Sequence, residues 1–329
     1  MAHPQQIRRW RLHYHTQSLH TGLKLGLRVA LVFFAFFWLF KLFLNYRVMW
    51  SPVKYQAIAN PVKYQAIASP VKHHVQPKVG KVTMLWGNNP VYERALKTHE
   101  EHSRRLGYPL FKLQAPVLDG FWNKMAIILS VLLQELQKPV DDRLEWLLYF
   151  DADTVLMNPN MPLETFLPPP HLPHVHLLLS KDWNGMNSGV FLIRVHPWSV
   201  QLLTATTAYP IYNPNVELRW FDQSAMGNLI KENDYFRRST VYCPLRWFNA
   251  YMRAPNGLDL NPDSPSHLQV HPGDLLVHFP GTPKEKLDET LGPYMAIAES
   301  HRAEWEQPLE NTGYIKETES FWEGIDPPD

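Results

Sequence analysis

Two aspartates, Asp151 and Asp153, lie two residues apart in LLYFDADTVLMNP. On an extended chain, residues i and i+2 point to one side, so the two carboxylates would face each other. Like charges that close raise each other's pKa unless something compensates. A divalent cation is the usual compensation, and an all-oxygen environment suits Mg2+ or Mn2+. The competing reading is an Asp-rich turn that closes a strand. The tripeptide alone leaves both open.

The elements around the pair narrow the choice. Trp146, Leu147, Leu148, Tyr149 and Phe150 read as a strand buried on both faces. In open α/β sheets, ligands bind beyond the carboxyl ends of such strands. Strand-like and helix-like segments alternate from Lys81 onward. KVTMLWG is a strand ending in Gly87, and YERALKTHEEHSRRLG is a polar helix that Gly107 closes. YPLFKLQ is a second strand. FWNKMAIILSVLLQELQK has helical apolar spacing and stops before Pro139. HVHLLLS and GVFLIRV are strands separated by KDWNGMNS, which reads as a glycine-rich loop. Helices are expected over 197–208 and 222–232. GDLLVHFPG is a last strand, with a helix from Lys284 to about Glu306. This alternation predicts an α/β fold with a mostly parallel sheet covered on both faces by helices.

The charge balance divides the chain. No Asp or Glu occurs before Glu93, and residues 1–92 carry 12 Lys and Arg. The rest carries 20 Lys and Arg against 31 Asp and Glu. An acidic body argues against nucleic-acid binding. The run Val29–Phe40 is wholly apolar and extends through Lys41 to Leu44. With Arg28 and Lys41 snorkelling, this predicts one transmembrane helix over 25–45. The basic residues before it place the N-terminus (1–24) in the cytosol and the body across the membrane. PVKYQAIAN (52–60) and PVKYQAIAS (61–69) form a tandem repeat in which proline forbids one long helix. Residues 46–80 read as a stem, 307–329 as a C-terminal tail, and its end, GIDPPD, as polar. Cys243 is the only cysteine, so no internal disulfide exists.

DADTVL also fits the haloacid-dehalogenase-like phosphatases, where Asp151 would be a nucleophile. That family places the motif on its first strand and needs a downstream acid pair. Here two strands precede it, and Asp274 stands alone before its strand.

Five ordered blocks, LLYFDADTVLMNP, DWNGMNSGVFLIRVHPWS, WFDQSAMGNLI, RWFNAY and GDLLVHFPG, resemble glycosyltransferase family 34 over about residues 81–300. That family comprises fungal and plant α-galactosyl-, α-mannosyl- and α-xylosyltransferases. The resemblance implies a GT-A (Rossmann-like) catalytic domain over 81–306 and a retaining transfer. The donor would be a nucleotide sugar, UDP-galactose or GDP-mannose, and the acceptor a glycan. It further implies Mn2+, or Mg2+ in its place, and a single-pass type II Golgi protein with a luminal body, open to assembly in a glycosyltransferase complex. Carried over by residue, Asp151, Asp153 and His278 hold the metal. Asn187 and Asp182 contact sugar, and Asp222 and Gln223 face the reacting centre. Lys284 and Lys124 are cationic candidates for the diphosphate, with Lys284 one residue farther from its histidine than the family pattern has it. Gly87, Asn88 and Asn89 are placed for the base and ribose. His278 also reads as a core histidine, Asp222 as an N-cap, and Asn88-Asn89-Pro90 as a turn. A non-catalytic subunit of such a complex is the rival from another class; it would be expected to lack one of the three metal-motif residues, and all three are present.

Overall fold

The computed structural model describes residues 78–325. The tail at 1–24, the membrane segment at 25–45 and nearly all of the stem at 46–80 lie outside the described residues. Among the described residues no helix is long and apolar enough to cross a membrane.

The main sheet has six strands in the order β2-β1-β3-β6-β5-β7. They are β1 (Val79–Met84), β2 (Leu110–Leu113), β3 (Trp146–Phe150), β5 (Leu177–Asp182), β6 (Gly185–Arg194) and β7 (Thr240–Cys243). β1 runs parallel to β2 and β3, and β5 parallel to β7. β6 is antiparallel to both its neighbours, β3 and β5. Five of the six strands thus run one way and β6 alone is reversed, so the sheet is mostly parallel, as expected, but mixed. The reason lies in KDWNGMNS. β5 runs to Asp182 and β6 starts at Gly185, so only Trp183 and Asn184 separate them. A two-residue link joins only antiparallel strands. Most of the expected loop is thus strand, with Asp182 facing Gly185 and Ser180 facing Asn187.

A second sheet of three short strands runs β4-β9-β8: β4 (Thr154–Leu156), β8 (Ala250–Tyr251) and β9 (Leu276–His278). Three-residue strands give too short a pattern to read from sequence, and β4 and β8 were not expected.

Seven helices of the α type are described: α1 (Pro90–Leu106), α2 (Asn123–Leu136), α3 (Pro197–Tyr212), α4 (Phe221–Glu232), α5 (Asp234–Arg237), α6 (Leu287–Glu299) and α7 (Tyr314–Glu323). α1 starts with Asn89 as N-cap and Pro90 in its first turn, and Gly107 at φ 79° ends it. Along β3 the side chains alternate between two cores. Trp146, Leu148 and Phe150 join one cluster, with Leu192, Trp247, Tyr314 and Trp322. Leu147 and Tyr149 join the other, with Ile128 and Leu132 of α2, Leu202 of α3 and Met226 of α4. A third cluster packs Val155 and Val277 of the small sheet under Leu291, Tyr294 and Met295 of α6.

The C-terminal tail from residue 307 carries α7. Tyr314, Thr318 and Trp322, spaced by four, form its buried face.

Candidate active site

Asp151 follows directly on β3, and β4 begins at Thr154. The Asp-Ala-Asp stretch is thus the link between the two sheets. It is a turn at residues 152–153 rather than an extended run, so the carboxylates converge by a different route from the same-side reading of the sequence. The Asp151 N–H donates to the Gly189 carbonyl of β6 (2.8 Å). The Thr154 hydroxyl donates to the Asp151 carbonyl (2.7 Å), closing the turn. His99 of α1 supports it from behind, with Nε2 2.9 Å from Thr154 Oγ1 and its ring stacked on Phe150.

β9 pairs antiparallel with β4, Thr154 opposite His278, and the Phe279 N–H donates to the Asp153 carbonyl (3.0 Å). This register delivers the imidazole. One ligand atom each from Asp151, Asp153 and His278 lies within 4.8 Å of the others. The aspartates are part-exposed and His278 is buried. His278 Nε2 lies 3.4 Å from Asp153 Oδ1. Gly189 makes room for the ring, because a Cβ there would fall 2.1 Å from His278 Cε1.

Tyr149 and Asp151 share one face of β3, and the Tyr149 hydroxyl donates to Asp151 Oδ1 (2.7 Å). α2 covers that face, which explains where Lys124 goes. Its Nζ lies 3.4 Å from both Asp151 and Asp222, 3.1 Å from the Ser188 carbonyl, and 5.1 Å from the Tyr149 ring centre. Burial pulls the Lys124 pKa down, but the Asp151 and Asp222 carboxylates outweigh it, so the ammonium stays charged and above its ordinary value. Asp222, in the first turn of α4, is 3 % exposed. Burial pushes its carboxyl above the usual range, and Lys124 offsets this only in part. Its Oδ2 has no hydrogen-bond partner and only the ion-pair contact to Lys124. Gln223 accepts at Oε1 from the Ser188 N–H (2.9 Å).

The hairpin supplies the other wall. Asp182 accepts from the Asn184 N–H (2.6 Å), from Asn187 Nδ2 (3.0 Å) and from the Tyr251 hydroxyl. Trp183, at the hairpin tip, is exposed and edge-on to Tyr251. Gly87, at φ 81°, and Asn88 are exposed in the loop that leaves β1. β1 is parallel to β3, so that loop opens on the same edge as Asp151. Asn89 is used as the α1 cap, which fulfils its turn reading. Lys284 is exposed in a single 3-10 turn after β9, and no described contact joins it to the cluster. Lys124 is enclosed by Asp151, Asp222 and Ser188, so it orients carboxylates.

Two participants escaped sequence reading. Asn249, in the quoted block RWFNAY, bonds to His278, Ser180 and Asn187. Lys81, in the middle of β1, is fully buried with Nζ 2.9 Å from the His99 carbonyl. Burial drives its pKa well below the ordinary value. A lysine inside an apolar strand was the available signal for the second. An asparagine in a loop gave none for the first.

The residues present fit a divalent cation. Asp153 Oδ1 and His278 Nε2 are set face to face. At 3.4 Å they are too far apart for a charge-assisted hydrogen bond, which spans about 2.7–2.9 Å. One ammonium, Lys124, pairs with the carboxylates of Asp151 and Asp222, and no described ion pair joins a lysine or arginine to Asp153, so negative charge is in surplus. The phosphatase alternative finds no matching acid pair. The third residue beside the aspartates is a histidine, and the motif follows the third strand.

A family profile described as the galactosyl transferase GMA12/MNN10 family matches residues 170–288. That span holds the hairpin, Asp222, Asn249 and His278, while the aspartate pair lies upstream of it. Over this span the chain is similar to the members of glycosyltransferase family 34. A probable alpha-1,2-galactosyltransferase, gmh1, of Schizosaccharomyces pombe is 25% identical over 248 residues, covering 63% of this chain and 70% of that relative. Probable glycosyltransferase 7 of Oryza sativa subsp. indica is 29% identical over 146 residues. That alignment covers 39% of this chain, which spans only 31% of the rice protein's length. The crystal structure of a glycosyltransferase involved in glycosylation of the major capsid of PBCV-1 aligns with a TM-score of 0.48 at 16% identity, covering 66% of this chain and 99% of that one.

Proposed function

We propose that this glycosyltransferase moves a hexose from a nucleotide-sugar donor to a hydroxyl of a glycan acceptor, with retention and formation of an α-linkage. Galactose from UDP-galactose is the favoured sugar and mannose from GDP-mannose the next. The family description and the fission-yeast relative's name both specify galactosyl transfer. The observation that carries the reading is the facing pair Asp153 and His278, beside Asp151, at the carboxyl edge of β1 and β3. That edge is where ligands dock on open α/β sheets.

In this reading Asp151, Asp153 and His278 hold Mn2+ or Mg2+. When bound, the ion supplies positive charge where the leaving diphosphate gathers negative charge. The chain's own groups do the rest. Lys124 and the Tyr149 hydroxyl fix the Asp151 side chain, so its orientation does not depend on the ligand. Gln223 is anchored by its carbonyl oxygen on Ser188, and the other end of its amide is the group turned to the sugar. Asp182, held by Asn187 and Tyr251, accepts sugar hydroxyls. The Gly87–Asn88 loop receives the base and ribose. The apolar segment at 25–45 anchors the chain as a single-pass type II protein of the Golgi membrane, with this domain in the lumen.

The test is release of nucleotide by the full chain from UDP-galactose, GDP-mannose and UDP-xylose, with Mn2+ and with chelator. Release from UDP-galactose that chelator stops is the expected result. No release from any donor, or release that chelator leaves unchanged, sinks the proposal.

A further inference from the structure

The direction of every hydrogen bond around His278 can be traced back to groups that have no choice. The Gly189 backbone N–H can only donate, and it lies 2.9 Å from one end of the Asn187 amide. That end is therefore the carbonyl oxygen. The other end, Nδ2, lies 3.0 Å from the Asp182 carboxylate, which can only accept, and so agrees. Asn187 Oδ1 also contacts the Asn249 amide at 3.0 Å, so Asn249 must present its NH2 there. The second hydrogen of that NH2 goes to Ser180 Oγ (2.8 Å). Asn249 is left with its carbonyl oxygen 2.7 Å from His278 Nδ1. That nitrogen must carry a proton. In the neutral ring Nε2 is then a bare lone pair, aimed at the space beside Asp153.

We infer that Asn249 is a positioning residue that holds His278 in the Nδ1–H tautomer and so makes Nε2 a ligand atom. The inference rests on the cation site proposed above, but its core concerns the protein without any ion. Gly189 and Asn249 act together on the ring. The missing Cβ of one sets where it lies, and the oxygen of the other sets which nitrogen is free. A histidine ligand is normally oriented by a partner on its second nitrogen, and losing that partner typically costs ten- to hundredfold in metal affinity. The partner here is itself oriented by a relay that ends at a backbone amide and at Asp182. The hairpin expected to contact sugar is thereby joined to the metal edge through four side chains.

The experiment uses the full chain with histidine labelled in 15N. Long-range 1H–15N correlation at alkaline pH, where imidazole is neutral, reads the His278 tautomer without metal, with His278→Gln assigning the signal. The wild type is expected to show Nδ1–H. A neutral ring carrying its proton on Nε2 overturns the inference. Mn2+ alone is then titrated by electron paramagnetic resonance against wild type, Asn249→Leu and Asn249→Asp. Both variants lose the bond to Asn187, but only the aspartate keeps an acceptor for Nδ1–H, and it can also accept from the Ser180 hydroxyl. Asn249→Leu should bind Mn2+ ten- to hundredfold more weakly, and Asn249→Asp should stay within a few-fold of wild type. Equal losses in the two would show a merely structural role and overturn the inference. Should Asn249→Leu fail to fold, the wild-type tautomer and Asn249→Asp decide. A wild type with the Nδ1–H ring that binds no Mn2+ would overturn the cation site while leaving the tautomer assignment intact.

Discussion

Two of the clusters of charge among the described residues are finished differently. One is the clamp that fastens α7. Arg246 reaches Asp274 (2.5 Å), the Tyr314 hydroxyl (3.2 Å) and Glu317 (2.7 Å). Tyr314 donates to Asp274, Trp247 Nε1 donates to Glu317, and the His271 N–H donates to the second oxygen of Asp274. Each buried oxygen of Asp274 has a donor. The other cluster is the edge proposed to hold a cation, where an imidazole nitrogen faces a carboxylate and Asp222 Oδ2 has no hydrogen bond. A charged cluster that closes on itself holds structure together. One that leaves acceptors facing acceptors is built for something that arrives from outside.

The first way to break this comparison is Arg246→Leu. It leaves the buried Asp274 without its counter-charge, a loss of roughly 3–5 kcal/mol. Denaturant unfolding should show it, and Mn2+ affinity of the folded protein should not change. Unaltered stability would make the clamp ornamental and erase the contrast.

The second concerns pH. Burial raises the Asp274 pKa to about 6, with Arg246 offsetting part of the effect. A carboxyl raised above its unfolded value contributes stability that is full below about pH 4. That contribution is lost as pH rises through about 6. The amount is on the order of 2–3 kcal/mol. Asp274→Asn should remove this part of the slope in unfolding measured across that window. A slope identical to wild type would mean Asp274 titrates normally and the clamp is not desolvated.

The third sharpens the edge proposed to hold a cation. Gly189→Ala places a methyl group against the His278 ring. Overpacking should cost about 1–3 kcal/mol and weaken Mn2+ binding in the same variant. A variant with wild-type Mn2+ affinity would show that the ring position is not what the site depends on.

The smallest effect on stability belongs to Asp153→Asn. Without metal it relieves repulsion and should change unfolding by no more than about 0.5 kcal/mol. Mn2+ affinity should drop ten- to hundredfold, along with the thermal stabilisation that Mn2+ and UDP together give the wild type. Full retention of that stabilisation would return the aspartates to the turn reading.

What could be read in advance follows the same division. β1, β2 and β3 were legible because buried strands are continuous apolar runs. The aspartate pair was legible because it ends one of them. His278 was legible only through the resemblance, since a histidine on an apolar strand is otherwise a core residue. The direction of β6 was missed because the glycines of NGMNSG read as loop, although the true link is Trp183-Asn184. α7 was missed because the charges of YIKETESFWE hid the spacing of Tyr314, Thr318 and Trp322. Asn249 and the enclosure of Lys124 depend on side chains meeting across more than twenty residues of intervening chain, which no local pattern records.

The pairing of β4 with β9 also says something about birth. Thr154 and His278 are neighbours in the sheet but more than a hundred residues apart in the chain. The aspartates leave the ribosome long before Asn249 and His278 exist to complete their surroundings. Contacts that distant form late, because the loop between them must close first. Until then the nascent domain has two carboxylates at an unfinished edge without His278 beside them. On the proposed cation site, capture by all three residues would report that synthesis has passed residue 278 and that β9, the last described strand, has docked.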